Sequence, residues 1–476
     1  MEVGSVFIKN RLVQKYHVKA TSKLYRYVFK LKYDSYLKMG PSNIQGRIYD
    51  AVAAYCTFFF ETLPGLIINV VMIIATVVVT ATFSPIVAAA MFITLPLNYF
   101  GYKLLNKKLA FLSVELSNVC ALAWKDENAI ISQIDFIKQN SNNSYLLPLI
   151  EKHKNSAQDI TRRINNYANG VSAALTATNQ IVKNLMILIL AAIVFENYAM
   201  LGNVLFVILV LPYFTSAVSG LTSTNLNISA LKAADIFFRT LISEREKDGH
   251  IKIEEINEIK FDCKNISADG KNILIKDVKM KFKKGDIVGI MGESGSGKST
   301  LAKSIMRFRN CDGISVNDIP ISEIVADNYL SMVSYYSQYT PIITDSVLNN
   351  LNFGRIPVDE ARYNELKFLD KFHDKNEVVY ENGANLSGGD KQRIALARVF
   401  TEKAQIIILD EPTNSLDEET ECIILKEIFK SHNEKIFFLI SHNQKNIEFC
   451  THVVKLRNGT VEITTNPQIG TPTRHL

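Results

Sequence analysis

The stretch GESGSGKST, residues 292–300, contains the pattern GxxxxGK[ST] between a run typical of a strand and a run typical of a helix. Glycines let a backbone wrap a phosphate, so that N–H groups and a helix N-terminus point at negative charge. The pattern predicts that Lys298 reaches the β- and γ-phosphates of a nucleotide and that Ser299 ligates Mg²⁺. The predicted nucleotide-binding residues are Gly292, Glu293, Ser294, Gly295, Ser296, Gly297, Lys298, Ser299 and Thr300.

A second group of candidate residues, Asp410 and Glu411, lies at the end of the apolar run IIILDE, residues 406–411. A buried strand would carry Asp410 to its carboxyl end, where parallel sheets bind ligands and where a carboxylate can hold Mg²⁺. Glu411 could orient or deprotonate an attacking water. An acidic pair after a strand is by itself more often a turn or a helix cap, but the phosphate-binding loop favours the catalytic interpretation.

The segment LSGGDKQR, residues 386–393, resembles the signature sequence of ATP-binding cassette (ABC) proteins. Further motifs follow in the order typical of that family. Gln338 resembles the glutamine of the Q-loop, Asp417 in NSLD belongs to a stretch resembling the D-loop, and His442 resembles the switch histidine. Each small motif alone would be an ordinary loop residue, whereas the ordered set indicates the family.

The resemblance implies that two cassettes pack head to tail and enclose ATP between them. The backbone of Ser387, Gly388 and Gly389 would then face the γ-phosphate bound by a partner chain. Glu411, His442 and Gln338 are the implied catalytic residues. The implied cofactors are ATP and Mg²⁺, with Ser299, Gln338 and Asp410 as metal ligands and Asp417 near the nucleotide. The partner is a second cassette chain, and both a homodimer and a heterodimer remain open.

Two apolar tracts indicate a membrane domain. Glu61 is the only charged residue between 51 and 101, and Glu196 is the only one between 184 and 231. A span needs roughly 20 apolar residues, so each tract accommodates two spans. Buried helices of a soluble protein are the alternative, but they are rarely so long and so free of charge. The predicted spans are about 58–81, 84–104, 172–195 and 198–222.

The distribution of basic residues predicts the orientation. The turns near TFSP, residues 82–85, and near Glu196 carry no Lys or Arg, whereas residues 1–50 and 103–163 are rich in them. The positive-inside rule places the N-terminus and the ATP-binding domain in the cytoplasm of a multi-pass protein of the cell membrane. The net charge of +6 is explained by residues flanking the membrane, and nothing in the sequence indicates a nucleic-acid partner.

A change of composition at 241–260 predicts the domain boundary. We expect a transmembrane domain over 1–242, a linker over 243–258 and a cassette over 259–476. Strands are predicted at 286–291, 404–410 and 435–441, and Asn458-Gly459 predicts a hairpin. The predicted fold class is therefore an α-helical transmembrane domain followed by an α/β P-loop NTPase with a largely parallel sheet.

The membrane half also resembles type I ABC exporters. Residues 24–50 and 105–165 are similar to the regions that carry the short coupling helices of that family, which normally has six spans. Four spans would mean either a short natural variant or a chain that starts inside the second helix of a longer protein. The family usually places an aromatic ring for adenine stacking before the P-loop, but residues 265–272 offer none.

The resulting interpretation is an exporter half-transporter that moves a peptide, a lipid or a hydrophobic small molecule, with membrane lipid as its surroundings. The alternative is a membrane-anchored ATPase with a regulatory role, or a truncated subunit of a heterodimer. Lys183 lies inside the third predicted span and could face a translocation cavity or extend towards the cytoplasmic interface. Both interpretations of Lys183 remain open.

Overall fold

The structure, a computed structural model, describes residues 2–139, 146–196, 201–267, 272–309, 311–337, 341–353, 369, 372, 374–399, 404–412, 418–429 and 434–465. The chain forms two compact units, Met1–Glu246 and Lys247–Leu476. The division falls inside residues 243–258, where composition predicts a linker.

The first unit is built from helices. They are α1 (Glu2–Val28), α2 (Tyr33–Met39), α3 (Pro41–Thr57), α4 (Leu63–Phe83), α5 (Pro85–Ile131), α6 (Ile134–Gln139), α7 (Leu146–Glu196), α8 (Leu201–Ser223) and α9 (Asn225–Ser243). The short helices α2 and α6 lie in the two segments that resemble coupling regions. With 47 and 51 residues, α5 and α7 are about 70 and 77 Å long, which exceeds a hydrocarbon core of about 30 Å.

Local chemistry explains two breaks in these helices. A π-helical turn, Phe58–Thr62, joins α3 to α4 immediately before Pro64. Proline has no N–H for the carbonyl four residues earlier, and its ring crowds that carbonyl, so the regular α-helical ladder is interrupted there. Ser84 is extended, with φ −151° and ψ 95°, and Pro85 begins α5. The turn predicted at residues 82–85 is therefore present.

Three helical stretches are long and apolar enough to cross a membrane: Pro41–Phe83, Leu146–Ala192 and Val204–Ser243. A shorter apolar stretch, Pro85–Gly101, opens α5. It coincides with the second predicted span, about 84–104. The apolar helices make this chain a membrane protein, and the count of four spans remains a prediction.

The membrane helices pack through a core of large apolar side chains, with α4 against α8 and α5 against α7. Met91, Leu190 and Leu211 are among the fully buried residues of this core. One polar contact crosses from α5 to α7, where Asn98 and Asn179 donate to each other's side-chain oxygens at 2.9 and 3.0 Å. Both residues are buried, so the paired amides satisfy each other where water is scarce.

The second unit is an α/β domain. Its strands are β1 (Glu258–Ser267), β2 (Ile273–Lys283), β3 (Ile287–Gly292), β4 (Ile314–Val316), β5 (Ile319–Pro320), β6 (Val333–Tyr336), β7 (Asp345–Ser346), β8 (Val378–Val379), β9 (Ile406–Asp410), β10 (Ile436–Ile440), β11 (His452–Arg457) and β12 (Thr460–Thr465). Its helices are α10 (Lys298–Ile305), α11 (Ala326–Ser331), α12 (Val347–Asn352), α13 (Gly388–Val399), α14 (Glu418–Phe429) and α15 (Gln444–Ile447).

A six-stranded sheet in the order β12-β11-β3-β10-β9-β6 forms the centre of this unit. All its neighbouring pairs are parallel except β11 with β12. The predicted α/β class and the three predicted strands are confirmed as β3, β9 and β10. The predicted hairpin is confirmed too, since Asn458 and Gly459 both have positive φ, as a tight hairpin turn requires.

A second sheet, in the order β2-β1-β4-β5, is antiparallel and was not predicted. Its strands alternate buried and exposed residues, as expected where one face covers the core and the other faces water. Its inner face contributes Phe261 and Phe282, which pack edge to face with Phe438 of β10 at centroid distances of 6.4 and 5.7 Å. These aromatic contacts join the two sheets into one core.

Replacing Phe438 should therefore weaken the whole cassette. Phe438 is fully buried, and Phe438→Ala removes a ring that both sheets contact, so we expect a loss of about 3–5 kcal/mol in unfolding free energy. Chemical or thermal unfolding of the full chain in detergent measures the loss. Ile463→Ala on β12 is the matched control, because Ile463 is 40% exposed and should lose less than about 1 kcal/mol. Equal losses in the two variants would contradict this description of the core.

Candidate functional site

The predicted phosphate-binding loop connects β3 to α10, the strand-to-helix context that its sequence pattern requires. Gly295 and Gly297 have φ of 83° and 101°, which only glycine adopts without strain. Gly297 caps the N-terminus of α10, so the helix N-terminus opens onto the loop. The loop therefore has the backbone geometry of an anion cradle.

The side chain of Lys298 folds back over this loop. Its Nζ donates to the carbonyl oxygens of Gly292 and Glu293 at 2.9 and 3.0 Å, and the residue is 7% exposed. Ser296 Oγ is buried in the same loop without a hydrogen-bond partner among the described residues. A phosphate group would fit this loop, because its oxygens would accept hydrogen bonds from both the Lys298 ammonium group and the Ser296 hydroxyl.

Asp410 ends β9 beside the start of α10. Its carboxylate accepts hydrogen bonds from the side chains of Ser299 and Tyr335, the latter at 3.2 Å. Burial raises the pKa of the Asp410 carboxyl, and the two hydrogen bonds partly oppose that rise. A hydroxyl and a carboxylate in contact are oxygen ligands of the kind that Mg²⁺ prefers, so this pair fits the predicted metal site.

Tyr335 is a site residue that sequence reasoning missed. It lies on β6, next to β9 in the sheet, with Tyr335 opposite Ile408. The only sequence signal was the position of a short strand, VSYY, just before the stretch containing Gln338. Tyr335 lies near Asp410 because β6 is next to β9 in the sheet, and the local sequence does not reveal this strand order.

Glu411 and His442 follow neighbouring strands, β9 and β10, and lie in contact. Glu411 Oε1 is 3.0 Å from His442 Nε2, with side-chain exposures of 16% and 53%. Glu411 has a φ of 52°, and its backbone N–H donates to Ile440 O at 2.9 Å. This unusual backbone conformation in a residue other than glycine turns the carboxylate away from the strand direction and towards His442.

The signature residues lie at the start of α13 and are held by their own helix. Ser387 Oγ and backbone N–H both donate to Asp390 Oδ2, at 2.5 and 3.1 Å, and the backbone N–H of Asp390 donates back to Ser387 Oγ at 3.2 Å. This reciprocal cap fixes the helix N-terminus. Ser387 and Gly388 are exposed, so the capped end is open to another molecule.

The structure thus gathers predicted site residues into three groups at the edge of the sheet, whereas the signature residues form a separate group at the start of α13. Ser299 contacts Asp410, Glu411 contacts His442, and Lys298 covers the loop that begins at Gly292. Gln338 and Asp417 lie outside the described residues, and so does the centre of the segment 265–272 that lacks an aromatic ring. Their roles remain predictions.

In the membrane unit, Lys183 is half-buried on α7, one helical turn from Asn179. Both residues line a small cavity together with Thr94 and Thr215. A larger cavity of about 420 Å³ lies among α3, α5 and α9, and its polar lining includes Arg47, Asp50 and Asn227, with Arg47 also over the ring of Phe237. Sequence reasoning did not identify this larger cavity.

Removal of the Ser387 cap gives a direct test of the signature geometry. Ser387→Ala leaves the backbone N–H of Asp390 without its acceptor and should cost about 1 kcal/mol of unfolding free energy. Ser387→Thr keeps a capping hydroxyl and should cost clearly less. Thermal unfolding of the full chain in detergent compares the three proteins. If the alanine variant is as stable as the unchanged chain, the cap makes no contribution to stability.

Comparison with known proteins identifies relatives of this chain. The chain is 33% identical over 249 residues to a probable ABC transporter ATP-binding/permease protein of Haemophilus influenzae, covering 50% of this chain and 45% of that protein. It is 33% identical over 218 residues to the mitochondrial iron-sulfur clusters transporter ATM1 of Candida glabrata, covering 43% and 30%. It is 29% identical over 255 residues to an ATP-dependent lipid A-core flippase of Escherichia coli K12, covering 50% and 44%. The matched region spans less than half the length of each relative.

The fold is also similar to a solved structure of a bacterial Atm1-family ABC exporter with ATP bound. The TM-score is 0.86, the match covers 96% of this chain and 83% of that chain, and the sequence identity is 18%, so this likeness concerns the fold. Family models match on both sides of the division between the units: the ABC transporter transmembrane region at residues 1–218 and the ABC transporter domain at 275–414. Because these two matches together cover most of the chain, the protein belongs to the ABC transporter family, with its membrane region and its ATP-binding domain fused in one chain.

Proposed function

We propose that this chain is one half of an ATP-driven exporter that works as a dimer of cassettes. The observation that carries the proposal is the convergence at one sheet edge of the phosphate-binding loop, Asp410 and the Glu411–His442 pair. The same chain carries apolar helices long enough to cross a membrane. An ATPase site fused to such helices favours vectorial transport over a soluble enzyme.

Nucleotide binding would use the loop and its lysine. Lys298 exchanges the carbonyls of Gly292 and Glu293 for the β- and γ-phosphate oxygens, which are stronger acceptors for an ammonium group. Ser299 and Asp410, with Gln338, would hold Mg²⁺, which neutralises negative charge on the phosphates when bound. The raised pKa of Asp410 reflects a carboxylate that burial makes costly to charge, and a cation beside it would offset that cost.

Hydrolysis would depend on Glu411 as the general base. A carboxylate at the end of β9 can accept a proton from the attacking water, while the contact with His442 holds the carboxylate in position. His442 is half exposed, so its free ring face can also reach the phosphate. Glu411 would therefore activate the attacking water, and His442 would help to orient the charged phosphate.

The second cassette would complete each site. Ser387 and Gly388 are exposed at the capped N-terminus of α13, where backbone N–H groups and the helix dipole attract an anion. In the family arrangement that end meets the γ-phosphate held by the partner's loop. ATP would thereby bridge two cassettes, and hydrolysis would release them.

The transported substrate belongs to one of the classes that exporters of this type move: a peptide, a lipid or a hydrophobic small molecule. Two relatives are named for different cargoes, iron-sulfur clusters and lipid A-core, so their names do not select one for this chain. The cassette and the N-terminus would lie in the cytoplasm, as the basic residues flanking the spans predict.

The variant Glu411→Gln tests the ATPase and transport together. The amide keeps the side-chain shape but cannot take a proton, so we expect ATP turnover to fall by roughly 100-fold or more while ATP binding persists. In proteoliposomes, the unchanged chain should move at least one of three probes, a fluorescent phospholipid, a short peptide or an amphipathic dye. The variant should move none.

Glu434→Gln, an exposed carboxyl outside the site, is the matched control and should keep full turnover. Unchanged turnover in Glu411→Gln would overturn the assignment of the general base. Full ATP turnover in the unchanged chain with movement of none of the probe classes would instead favour a membrane-anchored ATPase that does not transport.

Mixed dimers test whether the site is shared between chains. Lys298→Ala disables the loop, and Gly388→Asp places a carboxylate where the partner's phosphate would lie. A Cβ at Gly388 would meet no atom within 4 Å, so the chain itself tolerates the change. Each variant alone should be inactive, whereas a mixed dimer contains one intact loop facing one intact signature and should trap ATP.

Nucleotide trapping on co-purified, differently tagged chains measures this complementation. The control mixes a chain that carries both substitutions with the unchanged chain. In this mixed dimer, each altered loop or signature faces an unaltered one of the partner. If Lys298→Ala and Gly388→Asp together trap no ATP, while the control mixture does, the signature does not act across the dimer.

A further inference from the structure

Two cysteines of the cassette lie in contact although they are distant in sequence. Cys263 on β1 and Cys311, in the connection that follows α10, are 48 positions apart, and their sulfur atoms are 2.6 Å apart. Both are free thiols in this structure. Unbonded sulfurs rarely approach so closely, and a disulfide bond of about 2.05 Å needs only a small further movement.

The surrounding backbone holds this approach in place. The N–H of Asp262, the neighbour of Cys263, donates to Gly313 O at 2.7 Å. A Cβ at Gly313 would lie 2.1 Å from Asp262 O, so the two segments approach as closely as glycine allows. Backbone packing therefore holds the segments that carry the two cysteines close together.

The two thiols differ in exposure and in acidity. Cys263 is 1% exposed, whereas Cys311 is half-buried. Cys311 donates a hydrogen bond that lowers the pKa of the Cys263 thiol and raises the pKa of Cys311 itself. Cys311 is thus the sulfur that a dissolved oxidant can reach, and Cys263 is the sulfur that more readily carries the negative charge.

We propose that Cys263 and Cys311 form a reversible redox site, in which a low-molecular-weight disulfide such as oxidised glutathione converts the two thiols into one disulfide bond. The proposal concerns the cassette alone and does not depend on the transported substrate. In a reducing cytoplasm the pair stays as thiols, and oxidation would close it.

The reaction balances in two exchange steps. Cys311 Sγ, the sulfur that the oxidant can reach, attacks one sulfur of oxidised glutathione while its proton passes to the Cys263 thiolate, which forms a mixed disulfide on Cys311 and releases one glutathione thiolate; that thiolate then takes the proton from Cys263. Cys263 then attacks Cys311 Sγ, which forms the protein disulfide and releases the second glutathione. Two protein thiols are oxidised, one disulfide is reduced to two thiols, and the protons pass to the released thiolates. The second step should be fast because Cys263 already touches Cys311.

The bond would enclose the phosphate-binding loop in a covalent ring. The segment between Cys263 and Cys311 contains β2, β3, the loop and α10. Closing a ring of this length restricts the unfolded chain, so oxidation should stabilise the cassette. The bond would constrain the chain on either side of the loop and would not involve the residues that bind phosphate.

The experiment treats the purified full chain in detergent with oxidised glutathione and maps its peptides by mass spectrometry. We expect a peptide containing Cys263 linked to one containing Cys311, with two hydrogens lost, and release of the link by dithiothreitol. The thermal midpoint of the cassette should rise by about 5–10 °C on oxidation. Both thiols remaining free, or a lasting glutathione adduct on Cys311 of the unchanged chain, would overturn the proposal.

Variants separate the pair from the other cysteines. Cys311→Ser should abolish both the link and the rise in midpoint. Cys263→Ala should accumulate the glutathione adduct on Cys311, because no second thiol resolves it. Cys120→Ser, in the membrane unit, is the control and should behave as the unchanged chain. If the buried Cys263→Ala variant fails to fold, peptide mapping of the unchanged chain and of Cys311→Ser still decides the outcome.

Discussion

The parallel pairing of β3, β10 and β9 is the constraint on which the nucleotide site depends. Every residue of β9 and β10 is buried, so these strands are fixed by apolar packing on both faces. Because parallel strands end at one edge, the phosphate-binding loop after β3, the acidic pair after β9 and His442 after β10 meet there. The chemistry of the site follows from this order of strands more than from any single contact.

Buried polar groups have different kinds of partner in the two units. In the cassette, Asp410 is buried and accepts hydrogen bonds from two side chains, which offset part of the cost of burying a carboxylate. In the membrane unit, Asn98 and Asn179 satisfy each other across two helices, because a lone buried amide would be costly. Each of these buried polar groups is therefore stabilised by a hydrogen-bond partner.

In the proposed dimer, the exposed signature end of α13 would be the part of one chain that meets the nucleotide of the second. Ser387 and Asp390 hydrogen-bond to each other, which caps the start of the helix within the single chain. A capped, exposed helix N-terminus can meet an anion with little reorganisation, which would lower the cost of forming the proposed shared site. The proposed dimer gives the second glycine-rich segment a role, because that segment would face the nucleotide bound by another chain.

The sequence by itself determined the parts whose chemistry is local. The glycine pattern at 292–300, the apolar strand before Asp410, the charge-poor membrane tracts and the Asn458-Gly459 turn each specify their own backbone or environment within a few residues. Tertiary structure alone decided the contacts that depend on strand order and register: Tyr335 with Asp410, Glu411 with His442, the antiparallel sheet, Asn98 with Asn179, and Cys263 with Cys311. Such pairs lie tens of residues apart, and their approach is set by how buried elements pack, which spacing along the chain does not encode.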